Sequence, residues 1–351
     1  MPSLHSKHLV GDGVSMIISQ TPLRLSFLGG GTDFPEYYAS PGNPHGGAVT
    51  GVAIDKYIYV IVKARFDERI YLNYSRKEIV DHVDDIQHDL VREAMRLTGV
   101  ASGVEITTLA DVPSEGSGLG SSSAVTVGLL KALWAHQGET FTAGELAAQA
   151  NRIELDVLRR PMGVQDAYLA ALGGIRHVVF GPRDAGKVEW ERLDLPLAAV
   201  SRLCANLMLF YTNRTRNSST ILTRQVANIS GRTNVLDALR GMAKEAASLL
   251  RAERFDAFGE LLHEGWMLKT QLAEGITDPE VDDLYERARG AGAIGGKIAG
   301  AGGGGFLLLY VPLGSQNAVR RVVGANLREL PFRFERDGTK TIFNVRRDPH
   351  F

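Results

Sequence analysis

The sequence predicts a protein of mixed α-helices and β-strands that forms two domains. Its 351 residues exceed the length of a typical single domain. Strand-type alternation and helical spacing of apolar residues succeed one another along the chain. A polar stretch with proline and glycine at 181–198 separates two segments rich in apolar residues. We therefore expect a flexible leader at 1–15, a first domain at 16–196 and a second domain at 197–351.

The composition argues against several classes of protein. Hydrophobic residues make up 44% of the chain and charged residues 23%, as in ordinary globular proteins. The net charge is −1 and no basic block occurs, so a nucleic-acid partner is not expected. No apolar run is long enough to span a membrane, and residues 1–15 lack the apolar core of a signal peptide, so we expect a cytoplasmic protein with no membrane partner. The single cysteine, Cys204, excludes a disulfide within the chain.

The first predicted strands end in a glycine-rich turn. Residues 16–19 predict a short strand, and alternation over 23–27 predicts a second strand with one polar face. Three consecutive glycines follow at 29–31. Arg24 lies on the polar face and Asp33 follows the turn, which indicates a binding site more than a surface charge.

Further strands are predicted at 47–63, 69–74 and 104–108. A helix is predicted to begin after Asp85 and to end at Gly99. Three tyrosines of these strands fit either packing or an adenine pocket: Tyr57, Tyr59 and Tyr74.

The stretch at 113–123 combines three glycines with three consecutive serines, directly before a helical pattern at 124–136. Glycine lets the backbone approach a ligand closely, and serine is favoured where a helix begins. The free amides and the positive end of the helix dipole attract anions, so the stretch suits a phosphate group. It is not a P-loop, because no Gly-Lys-Ser/Thr follows the glycines. A flexible linker is the alternative, which the adjoining amphipathic pattern disfavours.

Two acidic residues stand in apolar surroundings after this helix. Thr142 and Glu145 predict the capped start of another helix, and Glu154 adjoins its apolar stripe, facing either the interior or the solvated rim. Pro161 ends that helix. Asp166 lies in an alanine-rich segment where an unpaired carboxylate would be costly, so it is either a helix cap or a working carboxylate.

The second domain is predicted to begin with a buried strand at 207–211 and a polar turn into a helix. Arg214 and Arg216 in this turn are candidates for binding an anion, or else surface charges. Three more helices are indicated by apolar spacing, at 236–250, 255–266 and 278–288.

Glycine is again concentrated at 295–305, a run that leads into a strand at 306–311. Apolar spacing then predicts a last long helix over 319–330. Asp337-Gly338 is typical of a hairpin turn and predicts that the final strands, 332–335 and 341–346, pair with each other.

Three motifs stand in a fixed order along the chain. They are Pro-Leu-Arg-Leu-Ser-Phe-Leu-Gly-Gly-Gly-Thr-Asp at 22–33, Gly-Ser-Gly-Leu-Gly-Ser-Ser-Ser-Ala at 116–124 and Lys-Ile-Ala-Gly-Ala-Gly-Gly-Gly-Gly-Phe at 297–306. Together they resemble the GHMP small-molecule kinase superfamily, which includes galactokinase, homoserine kinase and mevalonate kinase. The resemblance covers nearly all of 16–351.

Within that superfamily the sequence is most similar to the branch of D-glycero-D-manno-heptose 7-phosphate kinases. The likeness is carried by Gly-Gly-Gly-Thr-Asp-Phe-Pro at 29–35, Tyr-Ser-Arg-Lys-Glu-Ile-Val at 74–80, Gly-Val-Gln-Asp-Ala-Tyr at 163–168 and Tyr-Thr-Asn-Arg-Thr-Arg-Asn-Ser at 211–218. The resemblance implies an α+β fold with an N-terminal domain like ribosomal protein S5 domain 2 and a ferredoxin-like C-terminal domain. ATP and a sugar would meet in the cleft between them.

The resemblance also implies roles for individual residues. Asp166 would be the catalytic carboxylate beside the sugar hydroxyl, with Arg24 as its catalytic neighbour. Ser122 and Glu154 would hold Mg²⁺, although the additional serine leaves the choice between Ser122 and Ser123 open. The ATP-binding residues would be Pro113, Gly116, Ser117, Gly118, Leu119, Gly120, Ser121, Ser122 and Ser123. The sugar would contact Arg24, Gly31, Thr32, Asp33, Asp166, Gly302 and Gly303, and charge and position add Arg214 and Arg216.

The function implied is ATP- and Mg²⁺-dependent phosphorylation of the anomeric hydroxyl of a heptose 7-phosphate, giving a 1,7-bisphosphate for nucleotide-sugar synthesis. Another acceptor is the alternative: fucose, galactose, an octose phosphate or a mevalonate-type alcohol. A regulatory ATP-binding relative without catalysis is disfavoured, because Arg24, Glu154 and Asp166 are all present. The sequence does not distinguish a monomer from a homo-oligomer.

Overall fold

The computed structural model describes residues 15–113, 116–182, 187–214, 218–325 and 327–346. The predicted leader therefore lies outside the described residues, except for Ser15. The strands are β1 (Ser15–Leu28), β2 (Gly47–Ala64), β3 (Ile70–Asn73), β4 (Lys77–Val80), β5 (Val104–Ala110), β6 (Ile175–Phe180), β7 (Val188–Arg192), β8 (Leu207–Tyr211), β9 (Gly295–Ile298), β10 (Phe306–Tyr310), β11 (Arg328–Glu329) and β12 (Lys340–Arg346). The helices are α1 (Pro35–Tyr38), α2 (Asp89–Thr98), α3 (Ser121–Gln137), α4 (Ala143–Asn151), α5 (Gln165–Leu172), α6 (Leu197–Ala205), α7 (Ser218–Asn228), α8 (Thr233–Arg251), α9 (Phe255–Lys269), α10 (Pro279–Gly290) and α11 (Gln316–Val322).

Eight strands form the first sheet, in the order β12-β1-β2-β5-β3-β4, with β6 also paired to β2 and β7 paired to β6. The two strands predicted at 16–19 and 23–27 are one continuous strand, β1. Its pairing with β2 shifts register between Pro22 and Leu23. Because proline has no amide hydrogen to donate, an irregularity of the ladder is favoured at that position.

The second sheet has four antiparallel strands in the order β11-β8-β10-β9. In chain order the elements are β8, helices α7–α10, β9, β10, α11 and β11. The first and third of these strands, β8 and β10, lie in the centre of the sheet. This arrangement confirms the expected ferredoxin-like domain.

Helices of both halves of the chain cover the first sheet. Helix α3 packs on β1 and β2, and it is flanked by α2, α4 and α5. Helices α8 and α9 also contact the first sheet, although they follow the predicted domain boundary in the chain. One apolar core therefore runs from β1 and α3 to residues such as Leu250 and Phe258. Within the described ranges, no helix has the length and apolar character that crossing a membrane requires.

The end of the chain differs from the sequence-based expectation. Helix α11 ends at Val322, and residues 328–329 form β11, so the predicted helix over 319–330 is too long. The predicted hairpin of 332–335 with 341–346 is wrong. Phe334 instead forms a bridge with Ile54, and β12 pairs with β1 in the first sheet. Local turn chemistry was correct in placing a chain reversal there, but the free edge of β1 was available as a partner.

Candidate active site

The glycine–serine loop ends at the N-terminus of the long helix α3. Gly120 precedes the helix with a φ of 76°, a left-handed conformation that glycine adopts without steric cost. The expected serine cap is wrong, because no side chain of the described residues caps this helix and the three serines occupy its first turn. The first amides of α3 therefore point into the loop together with the positive end of the helix dipole. Such an arrangement binds phosphate.

Two glycine-rich loops meet at this point, one from each half of the chain. Gly118 has a φ of 74°, and a Cβ atom on it would lie 2.3 Å from the carbonyl oxygen of Ala299. A Cβ atom on Gly300 would lie 2.6 Å from the Cα atom of Gly118. Only glycine permits this backbone contact.

A cavity of about 390 Å³ opens between the two loops. Of the predicted sugar-site glycines, Gly302 lines it, while the amide of Gly303 donates to the Ile276 carbonyl. Pro113 lies outside the lining, and Leu119 packs in the core. The other predicted ATP-binding residues line the cavity: Gly116, Ser117, Gly118, Gly120, Ser121, Ser122 and Ser123.

Arg24, which is buried, and Asp166, which is partly buried, form an ion pair in the lining of this cavity. Nε and Nη2 of Arg24 donate to the two carboxylate oxygens of Asp166 at 2.7 and 2.5 Å. Nη1 of Arg24 donates to the carbonyl of Gly118 at 2.6 Å, and its backbone amide donates to the carbonyl of Leu119. Asp166 belongs to the first turn of α5. The arginine thus joins strand β1, the phosphate loop and the carboxylate.

Glu154 lies inside the protein, within a π-helical turn at Arg152–Val157. Its side chain is 0% exposed. The hydroxyls of Ser122 and Ser123 donate to its two carboxylate oxygens at 2.5 and 2.8 Å. Burial raises the pKa of Glu154, against the lowering effect of these hydrogen bonds and of the nearby Arg160 guanidinium.

These oxygens fit a magnesium site that is completed by a ligand. Mg²⁺ prefers oxygen donors and is commonly held by one or two carboxylates together with the phosphates of a nucleotide. Among the described residues, no cluster of three or more His, Cys, Asp or Glu side chains is placed to hold a metal by itself. Glu154 with Ser122 or Ser123 would therefore supply only part of the coordination.

Arg160 is a neighbour of this site that the sequence reading missed. Its guanidinium donates to Ser122 Oγ at 2.7 Å and to both carboxylate oxygens of Asp89 at 3.0 and 2.8 Å. Arg159 before it has a φ of 51°, and Pro161 follows, so the backbone is constrained on both sides. A pair of arginines directly before a helix-ending proline was the available signal.

Arg160 also lines a second cavity, of about 610 Å³, next to the phosphate loop. Tyr74 and His88 line it and contact each other edge to face. Tyr57 and Tyr59 are directed elsewhere, since Tyr57 donates to Glu335 and Tyr59 accepts from Gln20. Of the three candidate tyrosines, only Tyr74 is placed for an adenine pocket.

A small cavity of about 70 Å³ lies on the other side of Asp166. Asp33 lines it and accepts hydrogen bonds from the amides of Gly31 and Gln165. Burial, and secondarily the charge of Asp166, raise the pKa of Asp33. Gly31 and Arg24 also line this cavity, so four of the predicted sugar-binding residues meet here.

Two other predicted sugar contacts, Thr32 and Arg214, do not line this cavity. The hydroxyl of Thr32 is fully buried and bonds to the carbonyls of Gly29 and Ala48, so its donor is already used. The guanidinium of Arg214 pairs with Asp278 and Glu280 at 2.9 and 3.1 Å. Arg216 lies outside the described residues.

Two lysines that sequence reasoning missed are buried near Asp33. Lys269 ends α9 and lines the small cavity, and Lys297 lies in β9. Nothing in their local patterns marked them, although Lys297 opens the third glycine-rich motif.

Comparison with known proteins gives a consistent result. The model of the GHMP kinases N terminal domain matches residues 85–174, and that of the GHMP kinases C terminal domain matches 246–329. The chain is 30% identical to the D-glycero-alpha-D-manno-heptose 7-phosphate kinase of Campylobacter jejuni, over 93% of this chain and 98% of that protein. It is also 30% identical to the mevalonate kinase of Methanothermobacter thermautotrophicus, over 64% of this chain and 70% of that one.

Solved structures show the same relationship. The structure of a D-glycero-D-manno-heptose 1-phosphate kinase from Bacteroides thetaiotaomicron superposes with a TM-score of 0.76. The two chains are 25% identical, and the match covers 93% of this chain and 99% of that one.

Proposed function

Because this chain belongs to the GHMP kinase family and is a phosphotransferase with an alcohol group as acceptor, we propose that it phosphorylates the anomeric hydroxyl of a heptose 7-phosphate. The product would be the 1,7-bisphosphate, whose phosphate at C1 suits later activation to a nucleotide sugar. The observation that carries the proposal is the Arg24–Asp166 ion pair, which lies between the phosphate loop and the small polar cavity.

Phosphoryl transfer needs positioning and neutralisation of charge more than covalent chemistry from the protein. The amides of the loop and of the first turn of α3 would bind the ATP phosphates. Glu154 and Ser122 or Ser123 would hold Mg²⁺, which neutralises phosphate charge when bound. The second cavity beside Arg160 and Tyr74 would accept the nucleoside.

Asp166 would accept the proton of the attacking hydroxyl. A proton acceptor must be held in position, and the two hydrogen bonds from Arg24 fix both carboxylate oxygens of Asp166. Because Arg24 also bonds to the loop at Gly118, the carboxylate is fixed relative to the loop whose amides would bind the phosphates. The acceptor hydroxyl would sit between Asp166 and the phosphate cavity.

The small cavity supports a sugar more than a mevalonate-type acceptor. Its charged lining consists of two cations, Arg24 and Lys269, and two carboxylates, Asp33 and Asp166. An additional carboxylate, as mevalonate carries, would face both aspartates at close range. Neutral hydroxyls avoid that repulsion and find both donors and acceptors.

An unphosphorylated sugar such as fucose or galactose is the second candidate. It is favoured by the pairing of Arg214 with two carboxylates, which leaves the expected phosphate contact of that residue already occupied.

The test is an assay of ADP release with ATP, Mg²⁺ and a panel of heptose 7-phosphate, galactose, fucose and mevalonate. We expect the highest kcat/KM with heptose 7-phosphate, and ³¹P NMR of the product should show the new phosphate at C1. If a free sugar gives the highest kcat/KM, that sugar replaces heptose 7-phosphate as the proposed acceptor. ADP release with mevalonate alone, or with no sugar, would refute the sugar-kinase assignment.

A further inference from the structure

We propose that Lys269, the last residue of α9, is a substrate-binding residue that donates hydrogen bonds to hydroxyl groups of the acceptor beside Asp33 and Asp166. The inference rests on the proposed function and adds a charged donor from α9, in the ferredoxin-like half of the chain, to a cavity that Arg24, Asp33 and Asp166 also line.

The geometry of the ammonium group supports this role. Lys269 is only 6% exposed, and its Nζ donates to the carbonyl of Gly300. An ammonium group has three hydrogens to donate. Across the described ranges, the Gly300 carbonyl is the one hydrogen-bond partner found for it. The remaining donors belong to a side chain that lines the small cavity, and leaving them unpaired in a buried position is costly.

Two other buried polar groups of the same cavity have no hydrogen-bond partner among the described residues. They are Oγ of Ser26 and Oε1 of Gln165, from side chains that are 5% and 8% exposed. Such groups are rare in folded proteins and call for an explanation. A ligand with several hydroxyl groups would satisfy the Gln165 acceptor, the Ser26 hydroxyl and the Lys269 donors together.

Lys297 shows what a structural lysine looks like in the same region. It is equally buried, but its Nζ donates to the carbonyls of Ser26 and Phe27 at 2.9 and 3.0 Å. These bonds tie β9 to the end of β1, and Lys297 is not part of the cavity lining. Comparing variants of the two lysines therefore distinguishes a ligand-binding role from a purely structural one.

The charge of Lys269 is expected to depend on pH near neutrality. The pKa of Lys269 is lowered to about 8, chiefly by burial and also by the positive charge of Arg24, while Asp33 and Asp166 oppose the shift. Lys297 is the other cation facing it. Acceptor binding should weaken as the pH rises through about 8, because the ammonium group loses its charge and one donor.

The experiment compares Lys269→Met and Lys297→Met with the unmodified protein at saturating MgATP, with heptose 7-phosphate varied between pH 6.5 and 9. For Lys269→Met we expect the acceptor KM to rise ~10-fold or more, the value of a hydrogen bond from a charged group. In a second series with ATP varied, the KM for ATP should change less than the acceptor KM, since Lys269 itself does not line the cavity of the glycine–serine loop. The unmodified protein should show a rise of acceptor KM above pH 8, and this rise should be absent from Lys269→Met and present in Lys297→Met.

An unchanged acceptor KM in Lys269→Met, or the same pH profile as the unmodified protein, would overturn the proposal. If Lys269→Met does not fold, Lys269→Gln tests the pH dependence, because its amide retains donors but does not titrate. The rise of acceptor KM above pH 8 should then be absent, and a profile like that of the unmodified protein would overturn the proposal. A wrong acceptor assignment is distinguishable, because the unmodified protein would then be inactive with heptose 7-phosphate. The comparison is then made with the panel acceptor that gives the highest kcat/KM, and an unaltered KM for that acceptor would still refute the role of Lys269.

Discussion

At the scale of single residues, the site depends on Arg24 serving two purposes. Its guanidinium fixes Asp166 through two hydrogen bonds and the phosphate loop through a third. A Cβ atom on Gly120 would lie 3.0–3.3 Å from the Arg24 side chain, so the glycine also makes room for it. The carboxylate, the arginine and the loop therefore form one unit.

Asp166→Asn should lower kcat by ~10²–10⁴-fold, the usual contribution of a positioned proton acceptor. ATP binding should persist, because the loop amides that would bind the phosphates remain. The measurement is ADP release together with the dissociation constant of a nucleotide. Asp283→Asn makes the same chemical change on the exposed face of α10 and should leave both values unaltered. Near-normal turnover of Asp166→Asn would exclude it as the base.

Ser122 and Ser123 differ in exposure, although both donate to Glu154. Ser122 is exposed towards the cavity, whereas Ser123 is buried. Ser122→Ala should therefore raise the Mg²⁺ concentration needed for half-maximal rate, on the order of 10-fold. Ser123→Ala should mainly lower stability, because it removes a buried partner of Glu154. An unaltered Mg²⁺ dependence in Ser122→Ala would assign the metal contact to Ser123 or to water.

The buried ammonium group of Lys269 should lower the free energy of unfolding at neutral pH. Its pKa is lowered from 10.5 to about 8 by burial, so the folded protein holds a buried charge below pH 8 and loses that proton before the unfolded chain does. This loss of stability is fully present below about pH 8, and it disappears as the pH rises from 8 to 10.5. Lys269→Met should raise the free energy of unfolding at pH 7 by up to ~3 kcal/mol.

Urea unfolding at pH 7, 8.5 and 9.5 measures this effect, and the gain should shrink as the pH rises. Lys63→Met, on an exposed position of β2, should show no pH-dependent difference from the unmodified protein. A gain that is constant across the pH range would mean that the ammonium charge is not its cause.

At the scale of elements, the contact between the two glycine loops brings the halves of the site together. Gly300 has a φ of 70° and touches Gly118 through its backbone. Gly300→Ala should cost about 1–2 kcal/mol for the left-handed conformation alone. Steric overlap at 2.6 Å would also separate the loops and weaken nucleotide binding.

The matched control is Gly241→Ala, in α8, where no atom lies within 4 Å of the new methyl group. This change should stabilise the protein by ~0.5–1 kcal/mol, because alanine loses less conformational freedom in a helix. Thermal unfolding and nucleotide titration of both variants give the comparison. Undisturbed nucleotide binding in Gly300→Ala would show that the loop contact is not required.

At the scale of the whole molecule, the chain closes on itself through β12. This strand pairs with β1, and the hydroxyls of Thr21 and Thr339 bond at 2.8 Å beside the ladder. Lys297 adds a second link, from β9 to the end of β1. The strand that carries Arg24 is thus held on both sides.

Ending the chain at residue 339 should expose the edge of β1 and lower stability, with a tendency to aggregate. Urea unfolding and size-exclusion chromatography measure the two effects. A chain that ends at 346 keeps β12 and is expected to behave as the full chain. Equal stability of the chain ending at 339 would show that β12 is dispensable for the first sheet.

The sequence by itself determined the features that are local. Glycines before a helix and apolar alternation act through the backbone of neighbouring residues, so the loops within 116–123 and 295–305 were predictable. Their limits were not, because residues 121–123 begin α3 and residues 295–298 form β9. Motifs in fixed order indicated the family, and the comparisons confirmed it. Local patterns gave a wrong prediction where a segment pairs with a strand far away in the sequence, as β12 pairs with β1.

Only the tertiary structure decided which side chains meet. Arg24 and Asp166 are 142 positions apart and share one ion pair, whereas Thr32, next to Asp33, is turned into the fold. Lys269 reaches the small cavity because α9 packs against the first sheet and β9. Contacts of this kind follow from sheet order and helix packing, which depend on the whole chain at once, whereas local sequence patterns specify only the conformation of their own segment.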